Sequence, residues 1–137
     1  MINARLVHKY QVAITNGRHS IIADEPLDVN GTDIGPSPYD LLLSSLAACK
    51  VMTVKMYSDR KEWPLEGMDI TLTHEKVKAK DHPEAKSESG FVDIINTKMT
   101  FHGDLDDAQL ERLREISEKC PVHRSLTSET IIYSNLA

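Results

Sequence analysis

The sequence has 137 residues, of which 40% are hydrophobic and 27% are charged, and this composition is typical of one globular domain rather than a disordered chain. The net charge of −5 argues against a nucleic-acid-binding protein, and no basic helix suits a membrane surface. The start of the chain lacks the apolar core of a signal peptide, and no stretch is apolar enough to span a bilayer. We therefore expect a single cytoplasmic domain over residues 1–137.

The first part of the chain predicts two strands joined by a tight turn. Residues 4–16 show the partial alternation of a strand, and Asn16-Gly17 is a strong signal for a two-residue hairpin turn. Residues 18–23 then return as a second strand, and residues 28–35 form a loop. No Gly-rich phosphate loop occurs, and we expect no cofactor.

A long helix is predicted over residues 37–60. Ser37 is a good N-cap residue, Pro38 suits the first helical position, and Asp40 completes an approximate capping box. The helix is apolar nearly all round, as expected of a helix in a core. Since a small sheet cannot cover so much apolar surface, we expect a second subunit to cover the rest.

The next part of the chain predicts two strands joined by a surface loop. Residues 65–77 alternate so that Met68, Ile70 and Leu72 share one face of a half-buried strand. Residues 78–90 are charged and rich in turn formers, which indicates a surface loop. Residues 91–103 are the following strand.

The last part predicts two more helices and a closing strand. An amphipathic helix capped by Asp104 or Asp106 runs to about Lys119, and Pro121 suits the start of a short helix with Cys120 as its N-cap. Residues 130–134 are predicted as a strand. Leaving out the short helix, the order is β-β-α-β-β-α-β, which favours an α+β fold over a doubly wound sheet.

Two thiols and one arginine are the candidates for chemistry. Cys49 lies within the long helix, and Cys120 lies 71 positions later at a helix start, a setting that lowers thiol pKa values. Arg18, beside the hairpin turn, could stabilise a thiolate, and Lys50 places a charge directly after Cys49. The alternative is that both cysteines only pack in the core, since buried cysteines are common.

A zinc site is a weaker interpretation of the same residues. Cys49, Cys120, His19 and His123 are types that bind zinc. The sequence has no C-x-x-C pair and no H-x-x-x-H pair, so we expect no metal site.

Residues 35–49, with the sequence GPSPYDLLLSSLAAC, resemble the first-cysteine helix of the OsmC/Ohr family of osmotically inducible and organic hydroperoxide resistance proteins. Residues 120–126, CPVHRSL, resemble the second-cysteine motif of that family, and Gly17-Arg18 resembles its hairpin arginine. The resemblance implies an α+β subunit with mixed or antiparallel sheets around two central cysteine-bearing helices. It also implies an intertwined homodimer, in which both subunits contribute to each active site.

The resemblance implies a thiol peroxidase that reduces organic hydroperoxides. Cys49 would be the peroxidatic cysteine and Cys120 the resolving cysteine, with Arg18 stabilising the thiolate and orienting the peroxide. A dithiol reductant of the lipoyl type would then reduce the Cys49–Cys120 disulfide.

The sequence departs from the better-studied hydroperoxide reductases at the partner of the arginine. Those proteins have a glutamate ten positions before the first cysteine, where this chain has Tyr39 and places the carboxylate of Asp40 one residue later. Asp40 therefore either pairs with Arg18 or only caps the helix, and His123 is a further supporting candidate. The displaced carboxylate also leaves open a binding or redox-sensing protein of the same fold with little peroxidase turnover.

Overall fold

The computed structural model describes residues 1–137 as a mixed α+β fold with three α-helices and two antiparallel sheets. In chain order the elements are β1 (Asn3–His8), β2 (Gln11–Thr15), β3 (Ser20–Ala23), α1 (Pro38–Arg60), β4 (Leu65–Lys78), β5 (Phe91–Gly103), α2 (Asp107–Ser117) and α3 (Pro121–Thr127). The chain divides into two compact units, residues 1–44 and residues 45–137, with the boundary inside α1. None of the helices combines the length and the apolar character needed to cross a membrane.

The three-stranded sheet of the first unit has the order β1-β2-β3. The prediction of a single strand over residues 4–16 is wrong, because the chain reverses at Lys9 and Tyr10 and forms two paired strands. Lys9 adopts the left-handed conformation with φ of 48°. This turn could not be predicted, because Lys-Tyr is not a typical turn sequence, whereas Asn-Gly is. The predicted turn at Asn16-Gly17 is confirmed, and Asn16 Oδ1 accepts the backbone N–H groups of Arg18 and His19.

The loop after β3 is organised by the buried carboxylate of Asp24. Its oxygens accept the backbone N–H groups of Glu25 at 2.8 Å, Thr32 at 3.1 Å and Ile34 at 3.3 Å, and the Thr32 hydroxyl at 2.5 Å. These hydrogen bonds hold the pKa of the Asp24 carboxyl below its usual value, and the bond from the Thr32 hydroxyl has the largest effect. Burial acts in the opposite direction. Gly31 is required here, since a Cβ at this position would lie 1.6 Å from the carbonyl oxygen of Glu25.

The predicted cap of α1 is confirmed. Ser37 Oγ accepts the backbone N–H of Asp40 at 3.2 Å, and Asp40 Oδ2 accepts the backbone N–H of Ser37 at 2.9 Å and its hydroxyl at 2.7 Å. These reciprocal bonds form a capping box and hold the pKa of the Asp40 carboxyl below its usual value. The helix then runs without interruption to Arg60, four residues before Pro64.

The core of the second unit joins α1 to α2. Val54 and Tyr57 of α1 pack with Leu113 and Ile116 of α2, and Val54 and Leu113 have no exposed surface. Further apolar residues pack around this cluster from β4, β5 and the connections beside them: Trp63, Leu65, Met68, Phe101 and Leu105. β4 and β5 form one long antiparallel hairpin, and Met68, Ile70 and Leu72 of β4 are half-buried on one face, as predicted.

The last third of the chain agrees with the prediction in its helices but not at its end. Asp106 caps α2 in a capping box with Gln109, and Cys120 caps α3 with Pro121 at the first helical position. The predicted strand over residues 130–134 is wrong, because residues 128–137 have no regular structure. β-branched and aromatic residues favour extended backbone, but a strand also needs a hydrogen-bonded neighbour, and no strand of this chain pairs with the segment.

Candidate functional site

The structure brings the two cysteines together within the unit of residues 45–137. Cys49 lies near the middle of α1 and is half-buried, whereas Cys120 caps α3 and has no exposed surface. Both are free thiols, and Cys49 is a side-chain hydrogen-bond partner of Cys120. The fold thus places one reachable and one sheltered thiol side by side.

The sheltered thiol of Cys120 is held in its protonated form. Burial raises its pKa above the ordinary value and is the largest effect, and the interaction with Cys49 raises it further. The backbone N–H of His123, which donates to Cys120 Sγ at 3.3 Å, and the charge of Lys50 act in the opposite direction. The helix-start setting noted in the sequence therefore does favour the thiolate, but burial outweighs it.

A buried lysine, Lys50, also lies at this site. Lys50 is only 3% exposed, and its ammonium donates to the backbone carbonyl of Ser117 at 3.2 Å and lies 3.2 Å from His123 Nδ1. Ser117 is the last residue of α2, where free carbonyl groups give the helix end a partial negative charge. Lys50 therefore links all three helices at the thiol site.

His123 occupies the position between Lys50 and Cys120. Burial lowers the pKa of its imidazole, and the neighbouring charge of Lys50 lowers it further, while Glu118 has a weaker opposite effect. A neutral ring leaves Nδ1 free to accept a hydrogen bond from the Lys50 ammonium. His123 thus makes two contacts at the site: its backbone N–H donates to Cys120 Sγ, and its ring nitrogen Nδ1 lies against the Lys50 ammonium.

The other two candidate residues lie in the unit of residues 1–44. Arg18 is exposed beside the β2–β3 turn, and its backbone N–H donates to Asn16 Oδ1 at 2.9 Å. Asp40 uses Oδ2 to cap α1 together with Ser37. The ion pairs of the structure do not include one between Arg18 and Asp40, so the capping alternative is the one that the hydrogen bonds support.

No group of three or more His, Cys, Asp or Glu side chains is arranged to hold a metal ion. His123 reaches the neighbourhood of Cys120, but its Nδ1 is already engaged with Lys50. His19 lies in the unit of residues 1–44 and bonds through its backbone to Asn16.

A family model for OsmC-like proteins matches residues 31–134, which include both cysteines and all three helices. This chain belongs to the OsmC family. The match confirms the family indicated by the two cysteine motifs. A comparison with curated protein sequences gives no significant match.

Solved structures of OsmC and organic hydroperoxide resistance proteins share the fold. The chain is 22% identical to an OsmC-like protein from Mycoplasma pneumoniae, with a TM-score of 0.73 over 93% of this chain and 86% of that one. It is 20% identical to an organic hydroperoxide resistance protein OsmC from Legionella pneumophila, with a TM-score of 0.67 over 92% and 87% of the two chains. It is 16% identical to the organic hydroperoxide resistance protein OhrB of Bacillus subtilis, with a TM-score of 0.63 over 91% and 87%.

One residue of this OsmC-like site received no role from the sequence. Lys50 was recognisable as a charge next to Cys49, but sequence position does not show that its side chain is buried or that it meets α2 and α3. The available signal was a lysine inside the most apolar stretch of the chain. A lysine in such a place is almost never fully buried unless it has partners.

Proposed function

We propose that this OsmC-family protein is a thiol peroxidase that reduces organic hydroperoxides, with Cys49 as the peroxidatic cysteine and Cys120 as the resolving cysteine. The observation that carries the proposal is the pair of free thiols of unequal exposure, one in α1 and one at the start of α3. Relatives of the same fold that are named organic hydroperoxide resistance proteins support the substrate class.

The unequal exposure of the two thiols supports the assignment of their roles. A peroxidatic cysteine must be reached by a substrate from solution, and Cys49 is the more exposed of the two. A resolving cysteine has to wait until its partner is oxidised, and the raised pKa of Cys120 keeps it protonated until then.

The proposed cycle has two thiol steps. The Cys49 thiolate attacks the outer oxygen of the hydroperoxide, the O–O bond breaks, and the alkoxide leaves and takes up a proton to give the alcohol. Cys49 is then a sulfenic acid. The sulfur of Cys120 attacks it, hydroxide leaves and combines with the Cys120 proton to give water, and a Cys49–Cys120 disulfide remains. An external dithiol of the lipoyl type reduces this disulfide to restore both thiols.

Arg18 and a second subunit complete the proposal. A guanidinium that stabilises the reactive thiolate and orients the peroxide is the role proposed for Arg18. A homodimer is supported by large apolar side chains that remain exposed on each unit, among them Leu6 and Tyr10 in the first unit and Met52 and Met56 in the second. We place the protein in the cytoplasm, where dithiol reductants keep cysteines reduced.

The test is the loss of thiols from the reduced protein after cumene hydroperoxide is added, with mass spectrometry of the product. The wild-type protein should lose both thiols and gain one intramolecular disulfide. Cys49→Ser should consume no peroxide, because the attacking sulfur is gone. Cys120→Ser should form one equivalent of sulfenic acid, which dimedone traps. No intramolecular disulfide should form in this variant.

A matched control is Lys55→Met, since Lys55 is an exposed residue of α1 that pairs only with Asp59. This variant should consume peroxide at the wild-type rate. Undiminished peroxide consumption by Cys49→Ser would contradict the proposal, as would two unmodified thiols in the wild-type protein after long exposure.

The second candidate function is a binding or redox-sensing protein with little turnover. It is favoured by the engagement of Asp40 in the helix cap, which leaves Arg18 without the carboxylate partner of the better-studied reductases. In that case peroxide would oxidise the thiols slowly or not at all, and a small ligand would raise the melting temperature.

A further inference from the structure

The buried ammonium of Lys50 has hydrogen-bond acceptors but no carboxylate to neutralise it. Its two hydrogen-bond partners, the Ser117 carbonyl and His123 Nδ1, carry no net charge, and none of the ion pairs of the structure includes Lys50. A buried charge without a counter-charge is unfavourable. The group therefore gains most if an anion forms close by.

Cys120 is the group nearby that can become this anion. Lys50 is bonded to the ring of His123, whose backbone N–H bonds the sulfur of Cys120, and the charge of Lys50 acts directly on the Cys120 thiol. The titratable groups that face Cys120 are thus Cys49 and Lys50 from α1 and His123 from α3, with Glu118 beyond α2 acting on His123.

We propose that Lys50 supplies the cation that promotes the attack of Cys120 on an oxidised Cys49, so that this side chain controls how fast the disulfide closes. The inference deepens the proposed function and rests on its thiol chemistry. Lys50 is a positioning residue here, because it acts on the Cys120 sulfur through its charge. Ser117 and His123 hold the ammonium in place from the ends of α2 and α3.

The charge has its largest effect at one step of the cycle. Burial keeps Cys120 protonated, which protects it from oxidation but also makes it a poor nucleophile. When Cys49 becomes a sulfenic acid, Cys120 must release its proton to attack, and the ammonium stabilises the thiolate that forms. The proton leaves with the hydroxide of the sulfenic acid as water.

The closing step can be measured without any peroxide. Dithiobis(nitrobenzoate) added to the reduced protein should react first at the half-buried Cys49 to give a mixed disulfide and one thionitrobenzoate anion. The Cys120 thiolate then attacks the Cys49 sulfur, the second thionitrobenzoate leaves, and the protein disulfide forms. The rate of this second release against pH reports how readily Cys120 loses its proton.

Lys50→Met should change the shape of this pH profile. Loss of an adjacent positive charge raises a thiol pKa by about one unit or more, and a thiolate of higher pKa is intrinsically more nucleophilic by about threefold per unit. The second release should therefore be about threefold slower than in the wild type at neutral pH and about threefold faster at the alkaline limit. The two profiles should cross, with the midpoint moved up by about one pH unit.

A merely structural role for Lys50 would not produce this crossing. A packing defect would slow the second release by the same factor at every pH, and this result would overturn the inference, as would superimposable profiles. Lys50→Gln keeps a hydrogen-bond donor for the Ser117 carbonyl but removes the charge, so its pH profile should match that of Lys50→Met. It replaces Lys50→Met in the experiment if that variant does not fold. Lys55→Met, which removes an exposed charge from the same helix, should leave the profile unchanged.

The same design separates this inference from the proposed function. If the wild-type protein ignores organic hydroperoxides but the Lys50 profiles still cross, the peroxidase proposal fails and the role of Lys50 stands. If the wild-type protein consumes peroxide but the Lys50→Met and wild-type profiles coincide, the peroxidase proposal stands and the role of Lys50 fails.

Discussion

Asp24 shows how one buried carboxylate can fix a whole loop. It is 1% exposed and accepts hydrogen bonds from three backbone N–H groups and from the Thr32 hydroxyl. An ionised carboxylate suits these donors better than a neutral one, which is why its pKa lies below the usual value. The charge therefore stabilises the folded state.

We predict that Asp24→Asn destabilises the protein at neutral pH but much less in acid. Because the folded pKa is lower than the unfolded one, the stabilisation is complete above about pH 4 and is lost as the pH falls through the folded pKa. Urea unfolding at pH 7 should show a lower midpoint for the variant, and the difference should shrink toward pH 3. Asp28→Asn, at an exposed position of the same loop, should show neither effect; an equal loss at both pH values would contradict the prediction.

At the same scale, the sequence was enough to find the thiols but not their surroundings. Cys49 and Cys120 stand in recognisable motifs, and the capping roles of Ser37 and Cys120 follow from rules that act within a few residues. The contacts of Lys50 could not be predicted, because Ser117 lies 67 positions away along the chain and meets it only after α1 and α2 have packed.

Among the elements, α1 and α2 depend on each other for burial. α2 is a short amphipathic helix whose apolar side is completed by Val54 and Tyr57 of α1. Short helices are marginal alone in water, so packing supplies most of their stability. Since Ser117 and α3 follow directly, this packing also positions the partners of Lys50.

We predict that Leu113→Ala destabilises the protein by about 3 kcal/mol, because it removes a fully buried side chain and leaves a cavity. Chemical denaturation should measure the loss. Glu111→Ala, on the exposed side of the same helix, breaks only a surface pair with Arg114 and should cost much less than Leu113→Ala. Equal losses in the two variants would show that the α1–α2 contact contributes little.

The predicted elements failed where the deciding information was not local. The turn at Lys9 and Tyr10 carries none of the residues that normally mark a reversal, so one strand was predicted where two exist. Residues 131–133 have the composition of a strand but no pairing partner, and they are 67%, 83% and 83% exposed. Strand pairing is decided by what lies beside a segment, whereas helix caps are decided by the segment itself.

At the scale of the whole molecule, apolar surface is left uncovered on α1. Met52 and Met56 lie one turn apart on this helix and are 58% and 69% exposed. Exposed apolar patches of this kind mark interaction surfaces. The proposed homodimer would cover such surface with a second copy of the chain.

We predict that the protein elutes as a dimer in size-exclusion chromatography with light scattering, at about twice the mass of one chain. Met56→Glu should shift it toward the monomer, because a charge would have to be buried in the interface. Lys98→Glu, at an exposed position of β5, should remain dimeric. A wild-type protein that is monomeric at all concentrations would contradict the prediction.

The long stretch of chain between the two neighbouring thiols has a thermal consequence. Cys49 and Cys120 are 71 positions apart, so a bond between them would close a large loop and restrict the unfolded chain far more than the folded one. In the chain-entropy account such a crosslink adds about 4 kcal/mol to the free energy of unfolding. In each proposed turnover the protein would then alternate between an oxidised form with a higher melting temperature and a reduced form with a lower one. The supply of reductant would set the ratio of the two forms and therefore the average thermal stability of the protein.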